Sequence, residues 1–429
     1  MRKLMLVIAL LPAGCVFSPE GEDRERERAG NAWPGEADRP LAAGASLDEI
    51  LHFAYLSNAG LKERWWAWKA ALEQIPQDAS QPGLALTYSQ MFEKGETSWS
   101  QSTFGVANDP MASFVWPGKL KTAGRRALEN AKAAGFRFEA ARLDLRARVV
   151  TAWFDYAWLA ESIRTREADA ALLAQIVEST DARVRAGAAP QQDLLKARTQ
   201  RDLAGNRLES ERAKIHGRRA ALNALLNREP LADLDIPGKF PPARAFQGTD
   251  AEILERLAVR NPELEALARE VRARKQAVTL MRQEYLPDFG LGVSGDAGGM
   301  ARSIMGMVTA PFVRFPAIEA SISQAKAELE MARAARRQME HDLKAKAVLL
   351  LYDLRNADRQ SALYEASILP RAEMVVESAR AAYAAGRIPA AELLDSRRMG
   401  LEVRLMRAEL AAEREKLLAE LEALSGGPP

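Results

Sequence analysis

Gly187-Ala188-Ala189-Pro190-Gln191-Gln192-Asp193-Leu194-Leu195-Lys196-Ala197-Arg198 and Gly386-Arg387-Ile388-Pro389-Ala390-Ala391-Glu392-Leu393-Leu394-Asp395-Ser396-Arg397 are one pattern written twice, 199 residues apart. Each has a glycine, a proline three positions on, an acid six positions on and then a Leu-Leu pair. The same offset relates Glu178-Ser179 to Glu377-Ser378, Ala224-Leu225 to Ala423-Leu424 and Pro230 to Pro429. With small shifts, Trp153-Phe154-Asp155 answers Leu351-Tyr352-Asp353, and Glu49-Ile50-Leu51 with Asn58 answers Glu252-Ile253-Leu254 with Asn261. Two tandem copies of one unit, residues 46–230 and 250–429, organise the chain. A Pro-rich linker over 231–249 joins them.

Within each copy the pattern predicts a helix, two short strands, a very long helix, a turn and a last helix. Helical periodicity runs over 46–74, 119–185 and 191–227 in the first copy and over 250–284, 317–385 and 389–424 in the second. At about 1.5 Å per residue each middle helix is roughly 100 Å long, and the two outer helices of a copy sum to nearly the same length. That equality is expected if the outer pair stacks end to end beside the long helix. Pro370 is expected to kink the second long helix.

Between first and second helix of each copy the period changes from 3.6 to 2. Leu84, Leu86, Tyr88, Gln90 and Phe92 alternate with small or polar residues, and so do Phe289, Leu291 and Val293. Strands are predicted over 84–92 and 103–114, and over 288–295 and 303–313. Such segments suit a tilted crossing of an outer membrane, apolar face to lipid and small face to a lumen. Aromatics stand where strands meet helices, at Trp116-Pro117, Tyr285-Leu286-Pro287 and Phe315-Pro316, as in an interfacial belt. Four strands cannot close a membrane barrel, and lipid does not tolerate an open edge. The protomer must therefore oligomerise. Three chains would supply twelve strands and, at four helical columns each, a helical tube of about twelve.

Composition narrows the function. With 60 Lys+Arg against 58 Asp+Glu the net charge is +2, which argues against nucleic acid as a partner. The single cysteine, Cys15, excludes an internal disulfide and a thiolate cluster. His52, His216 and His341 have none of the spacings that set two ligands on one helix face. No nucleophile elbow, phosphate loop or metal motif is present, so we expect neither an enzyme nor a cofactor. Trp65 and Trp68 are expected to pack on neighbouring helices, with Trp66 off that face. Met305 and Met307 read as lipid-facing or packed in the barrel, because no thiolate or imidazole accompanies them.

Residues 1–15 form a secretory leader: basic Arg2 and Lys3, an apolar run too short to span a bilayer, then Ala13 and Gly14 before Cys15. Cys15 resembles the acylated cysteine of a bacterial lipobox, imperfectly, since Pro12 stands where Leu is usual. Residues 16–45, rich in Glu, Arg, Gly and Pro, read as a flexible tether.

On the paired turns, the acids that follow them and the order of helices and strands, the chain resembles the TolC-like outer-membrane efflux duct family. The lipobox and the Met-bearing run Ile304 to Phe312 are similar to its lipidated heavy-metal branch. The resemblance implies a mainly α fold with a small β part. Long antiparallel helical hairpins would form a periplasmic tube, and four strands per protomer would complete a twelve-stranded barrel in a homotrimer. It implies an exit duct in the bacterial outer membrane that docks to a periplasmic adaptor and a proton-driven inner-membrane pump and conducts metal cations or small toxic compounds. Type I protein or peptide secretion is the alternative, and a periplasmic coiled-coil scaffold a weaker one. It also places the turns of Gly187 and Pro190 and of Gly386 and Pro389 at the periplasmic tip. The family's inner acidic ring maps onto Glu392 and Asp395, three apart on one helix face. Six such carboxylates in a trimer would repel anions and attract cations. Asp193 is a gate candidate too, although an acid in a first helical turn also complements the helix dipole. Well-known members carry a basic residue where this chain has Ile388; Arg387 is one position earlier.

Overall fold

The computed structural model describes residues 17–33, 35, 41–42, 44–81, 83–90, 102–108, 115–235, 240–241, 243–244, 246, 248–296, 302–309 and 314–427. The leader with Cys15, the strand ends at 91–92, 109–114 and 310–313, linker positions 236–239 and Pro429 lie outside the described residues.

In chain order the elements are helices α1 (Glu22–Ala32), α2 (Leu47–Ser57) and α3 (Ala59–Asp78), strands β1 (Leu84–Gln90) and β2 (Ser102–Asn108), then helices α4 (Pro117–Arg185), α5 (Gln191–Leu225), α6 (Asp250–Arg260) and α7 (Pro262–Gln283). Strands β3 (Asp288–Asp296) and β4 (Arg302–Thr309) precede α8 (Phe315–Leu363), a π-turn (Tyr364–Ile368), α9 (Leu369–Ala384) and α10 (Ala390–Leu424). Helix dominates, with one small sheet. Among the described residues no helix is long and apolar enough to cross a membrane.

Three departures from the sequence reading have local causes. The helices expected over 46–74 and 250–284 are each broken, at Asn58 and at Asn261, whose backbones are extended. The side-chain amide of Asn58 donates to the Leu225 carbonyl, and that of Asn261 to the Leu424 carbonyl, at 2.8 and 2.9 Å. Each break thus satisfies a carbonyl at the end of a later helix, and Pro262 disfavours continuing the helix through Asn261. Capping boxes open the segment in both halves, Ser46 with Glu49 and Thr249 with Glu252. Hydrogen bonds from the backbone N–H groups of Ser46 and Thr249 hold both glutamates below the usual carboxylate range.

At Pro370 the long helix winds into a π-turn instead of simply kinking. Pro370 has no N–H to give, and the Leu369 N–H bonds five residues back, to the Tyr364 carbonyl. The third departure is the tether. Residues 22–32 form a helix because it has partners to pack on, despite a polar composition.

The chain divides into two units. Unit one gathers residues 1–33, 63–139 and 262–340. Its sheet is antiparallel in the order β1-β2-β3-β4. Lys119, buried at the start of α4, sets its ammonium 3.0 Å from both carboxylate oxygens of Asp288 at the start of β3. Trp116 meets Phe289, and Tyr285 meets Phe315, at ring separations of 6.1 and 5.6 Å. These aromatics collect at the strand-helix junctions, as the sequence led us to expect.

α1 docks on α3 and α4 in the same unit. The Trp65 indole N–H donates to the Ala29 carbonyl at 2.8 Å, Arg26 bonds the Leu72 carbonyl and the Glu73 carboxylate, and the Phe17 N–H donates to the Ala79 carbonyl. Arg28 lies over the rings of Trp68 and Phe136. Trp68 is fully buried and Trp66 is exposed.

Unit two gathers residues 34–62, 140–261 and 341–429. The linker is held to it. Arg244 pairs with the buried carboxylates of Glu415 and Glu422 at 2.9 and 2.8 Å, and Phe240 stacks on Phe154.

Two glycines separate helix propensity from packing. A Cβ on Gly135 would lie 2.7 to 2.8 Å from the Trp68 ring and 2.9 Å from Glu25, whereas one on Gly205 meets nothing within 4 Å. Gly205→Ala is expected to gain roughly 0.5–1 kcal/mol from helix propensity. Gly135→Ala, forced against a buried indole, should lose about 1–3 kcal/mol. Denaturant midpoints of the two variants in detergent decide it, and equal shifts of one sign would refute the packing of α1 and α3 on α4.

Candidate functional site

The paired turns of unit two are built alike. Gly187 and Gly386 sit at φ +70° and +71°, in the left-handed region that L side chains rarely adopt. The N–H of Gly187 donates to the Val184 carbonyl and that of Ala188 to the Arg183 carbonyl; Gly386 and Arg387 repeat this with Tyr383 and Ala382. These 5→2 and 6→1 bonds are a Schellman cap closing each long helix. Pro190 and Pro389 then stand as N-caps of α5 and α10, at φ −72° and −73°.

Both turns close onto one apolar cluster. Leu173, Ile176 and Val177 of α4, Leu194 and Ala197 of α5, and Tyr383, Leu393 and Leu394 from the second half belong to it, with Val184 and Ile388 packed on its edge. Ile388, an isoleucine and not a base, makes an apolar contact here instead of a salt bridge.

The three acids separate. Asp193 is buried in the first turn of α5, where its charge complements the helix dipole. Glu392 and Asp395 are exposed, while Leu393 and Leu394 between them face the cluster. The fold therefore leaves both later carboxylates free to face solvent from one side of α10 and holds Asp193 inside.

The sequence reading missed the group that ties α4 to α9. Tyr383 is buried and its hydroxyl lies 2.7 Å from Thr180 Oγ1. Thr180 donates to the Ile176 carbonyl at 2.7 Å, so the tyrosine hydroxyl is the donor of the pair. The Arg183 guanidinium donates to the Tyr383 carbonyl at 2.6 Å, with its carbon 4.8 Å from the tyrosine ring centre. It also fills the space beside Gly386, with Nη2 3.0 Å from where a Cβ would stand. The available signal was a tyrosine three residues before a left-handed glycine.

Further along the same helices, Asp169 of α4 and Arg397 of α10 form a buried ion pair at 3.1 Å. The pair is incompletely satisfied: Asp169 Oδ1 and Arg397 Nε and Nη1 have no hydrogen-bond partner. Burial pushes the Asp169 carboxyl up from its ordinary value against the pull of Arg397, Arg404 and Arg166. Burial likewise lowers the Arg397 guanidinium, which Asp169 partly restores.

A family model described as outer membrane efflux protein matches residues 51–228 and 253–427. Among solved structures, a membrane protein from Pseudomonas aeruginosa is 21% identical, with 91% of this chain and 96% of that one covered and a TM-score of 0.77. The outer membrane protein VceC from Vibrio cholerae is 18% identical, covering 89% and 96%, at a TM-score of 0.75. The CmeC outer membrane channel of Campylobacter jejuni is 16% identical, covering 89% and 85%, at a TM-score of 0.75. At these identities the likeness is one of fold. No curated protein matches the sequence.

The buried pair makes a directional prediction. Arg397→Leu leaves a carboxylate buried without its counter-charge and should cost about 3–5 kcal/mol at neutral pH. Asp169 holds its proton more tightly folded than unfolded. Acidification through its raised range therefore removes the buried charge and should recover part of that loss. Asp169→Leu with Arg397→Leu should return to near wild-type stability. Denaturation followed by circular dichroism at two pH values checks this; a double variant as unstable as the single one would show that packing, not charge, sets the cost.

Proposed function

The chain belongs to the outer membrane efflux protein family, and we propose that it forms the outer-membrane exit duct of a tripartite efflux system. In this reading it is a homotrimer with no catalysis of its own. Its strands complete a twelve-stranded barrel, and its helices make a periplasmic tube that docks to an adaptor and an inner-membrane pump. Metal cations or small toxic compounds are its cargo.

One observation carries the reading. The four-stranded sheet has two edges, β1 and β4, and one large apolar face left in the open. Leu86, Tyr88, Phe104, Val293, Ile304 and Val308 are all exposed on that face, Leu86 and Ile304 to about four-fifths. In water such a face would have to be covered, whereas in lipid it is at home. Edge backbone groups have no water to turn to in hydrocarbon, so copies must pair β4 of one with β1 of the next. The aromatic pairs at the strand-helix junctions supply the interfacial belt this arrangement needs.

The N-terminus is consistent with lipid anchoring at Cys15. Phe17, two residues on, is held by the Ala79 carbonyl, close in sequence to the start of β1. In this reading the paired turns form the tip. Thr180, Arg183 and Tyr383 hold α4 against α9 in the closed state, and Glu392 and Asp395 from three chains line the constriction. Asp193, buried in the first turn of α5, complements the helix dipole instead of lining the constriction.

Extracted in mild detergent, the mature chain should migrate as an oligomer on a gentle SDS gel and collapse to 47.2 kDa or slightly less after boiling. A monomer that extracts without detergent would end the duct reading. In planar bilayers Tyr383→Phe, which removes one hydrogen bond worth about 1 kcal/mol, should raise the open fraction roughly fivefold. Glu392→Ala with Asp395→Ala should weaken cation preference, and unchanged currents would remove those residues from the gate.

A further inference from the structure

Within unit two the first half of the chain meets the second along one seam. Asp155, Asp169, Ile176 and Thr180 follow one another on α4 at intervals of 14, 7 and 4 residues, which keeps them on one helix face. Lys416 reaches Asp155 at 3.1 Å, Arg397 reaches Asp169 at 3.1 Å, and Tyr383 bonds Thr180 at 2.7 Å. Ile176 and Leu394 share one apolar cluster.

Because the chain is one unit written twice, each of these positions has a counterpart. On the second long helix they are Asp353, Ile368, Val375 and Ala379, and Lys416, Arg397, Leu394 and Tyr383 answer to Gly217, Arg198, Leu195 and Val184. The π-turn falls where the offset between halves grows from 198 to 199, so it takes up the one extra residue and keeps the tip in step. Ile176 and Leu394 are buried, yet their counterparts Val375 and Leu195 are 43% and 56% exposed. Both are apolar all the same. Leu349, one helical turn before Asp353, is exposed too and extends the open row along α8. Single exposed apolar residues are ordinary, but a row that repeats a buried seam calls for a cover.

We propose that this open face of α8 and α9 is the seam for a second copy of the chain. It receives α5 of the next copy, Val375 against the next copy's Leu195, in the register that α4 and α10 use within one chain. This deepens the exit-duct reading and rests on it, and it gives the helices the same head-to-tail order as the pairing of β4 with the next β1. Such a contact leaves a free face at either end until the last copy meets the first. Its chemistry differs from that of the internal seam. Where the internal seam has an ion pair and a hydroxyl pair, Ile368, Ala379 and Val184 can make neither, and Arg198 is already held by Asp181 at 3.2 Å. Asp353 alone keeps its charge, and Gly217 opposite offers it no cation. Copies are thus joined here by apolar packing, while the polar ties at these positions lie inside each chain.

The chain has a single cysteine, Cys15, which every variant below shares. The full detergent-extracted protein carrying Val375→Cys with Leu195→Cys is treated with a mild thiol oxidant and boiled without reductant. It should give covalent bands of two and three chains, with roughly tenfold more linked chains than either single variant, since only facing thiols meet the geometry of a disulfide. Ile176→Cys with Leu394→Cys, the internal counterpart, should link within one chain and keep single-chain mass. Leu349→Cys with Leu195→Cys, roughly 40 Å apart along the helices in this register, should stay unlinked. Adding Tyr383→Phe should leave the link between positions 375 and 195 at equal yield, because the hydroxyl tie it removes lies on the other seam. Linkage confined to one chain, linkage by the distant pair as well, or loss of the link with Tyr383→Phe overturns the seam. The gentle SDS gel is run unheated on the same samples. An oligomer without the link removes the seam and keeps the duct; a chain that never oligomerises removes both.

Discussion

A peptide group placed in hydrocarbon without a hydrogen-bond partner costs several kcal/mol, and the outer strands of an open sheet present such groups in a row. β1 and β4 are those strands here. On the proposed reading, apolar side chains on one face draw the sheet into lipid, and the bare edges forbid it to enter alone. Insertion and oligomerisation are then one event. The requirement reaches the helices as well, because Lys119 clamps the start of α4 to the start of β3 through Asp288, so helices must follow where the strands go.

The two halves of the chain solve the same local problems with the same chemistry. A capping box starts each half, an asparagine interrupts the helix that follows, and its amide serves the last carbonyls of the half's final helix. A glycine in the left-handed region closes each long helix and a proline opens the next. None of these residues buries much apolar area. What they share is the satisfaction of backbone groups at helix ends, where four N–H or C=O groups are otherwise orphaned.

Periodic features were legible in the sequence because they depend on residues close together. The long helices fall within about two residues of their expected ends, and all four strands begin within a residue of expectation. What was not legible depends on distant partners. Asn58 looks like an ordinary helical residue until the Leu225 carbonyl is beside it. Glu22 to Ala32 looks unfoldable by composition, yet Trp65, Trp68, Glu73 and Phe136 give its arginines and carbonyls somewhere to go. At the tip, the glycines, prolines and acids were visible as a spacing. Tyr383 was not, since nothing local distinguishes a tyrosine that bonds Thr180, some two hundred residues away, from one that merely packs.

The halves also differ, and they do so where they meet around the paired turns. The position matching Tyr383 is Val184, and the one matching Thr180 is Ala379, so the hydroxyl pair between halves exists once rather than twice. Space beside Gly187 is empty while that beside Gly386 is filled by Arg183. Asp169 matches Ile368, the last residue of the π-turn, and its buried pairing with Arg397 again joins one half to the other. Around the turns the two halves share an apolar cluster, and to it they add the Thr180–Tyr383 hydroxyl pair and the incompletely satisfied Asp169–Arg397 ion pair, whereas the caps lie within each half. On the proposed exit-duct reading, giving up that hydroxyl bond and that ion pair while the helix caps hold is how a gate would open without unfolding.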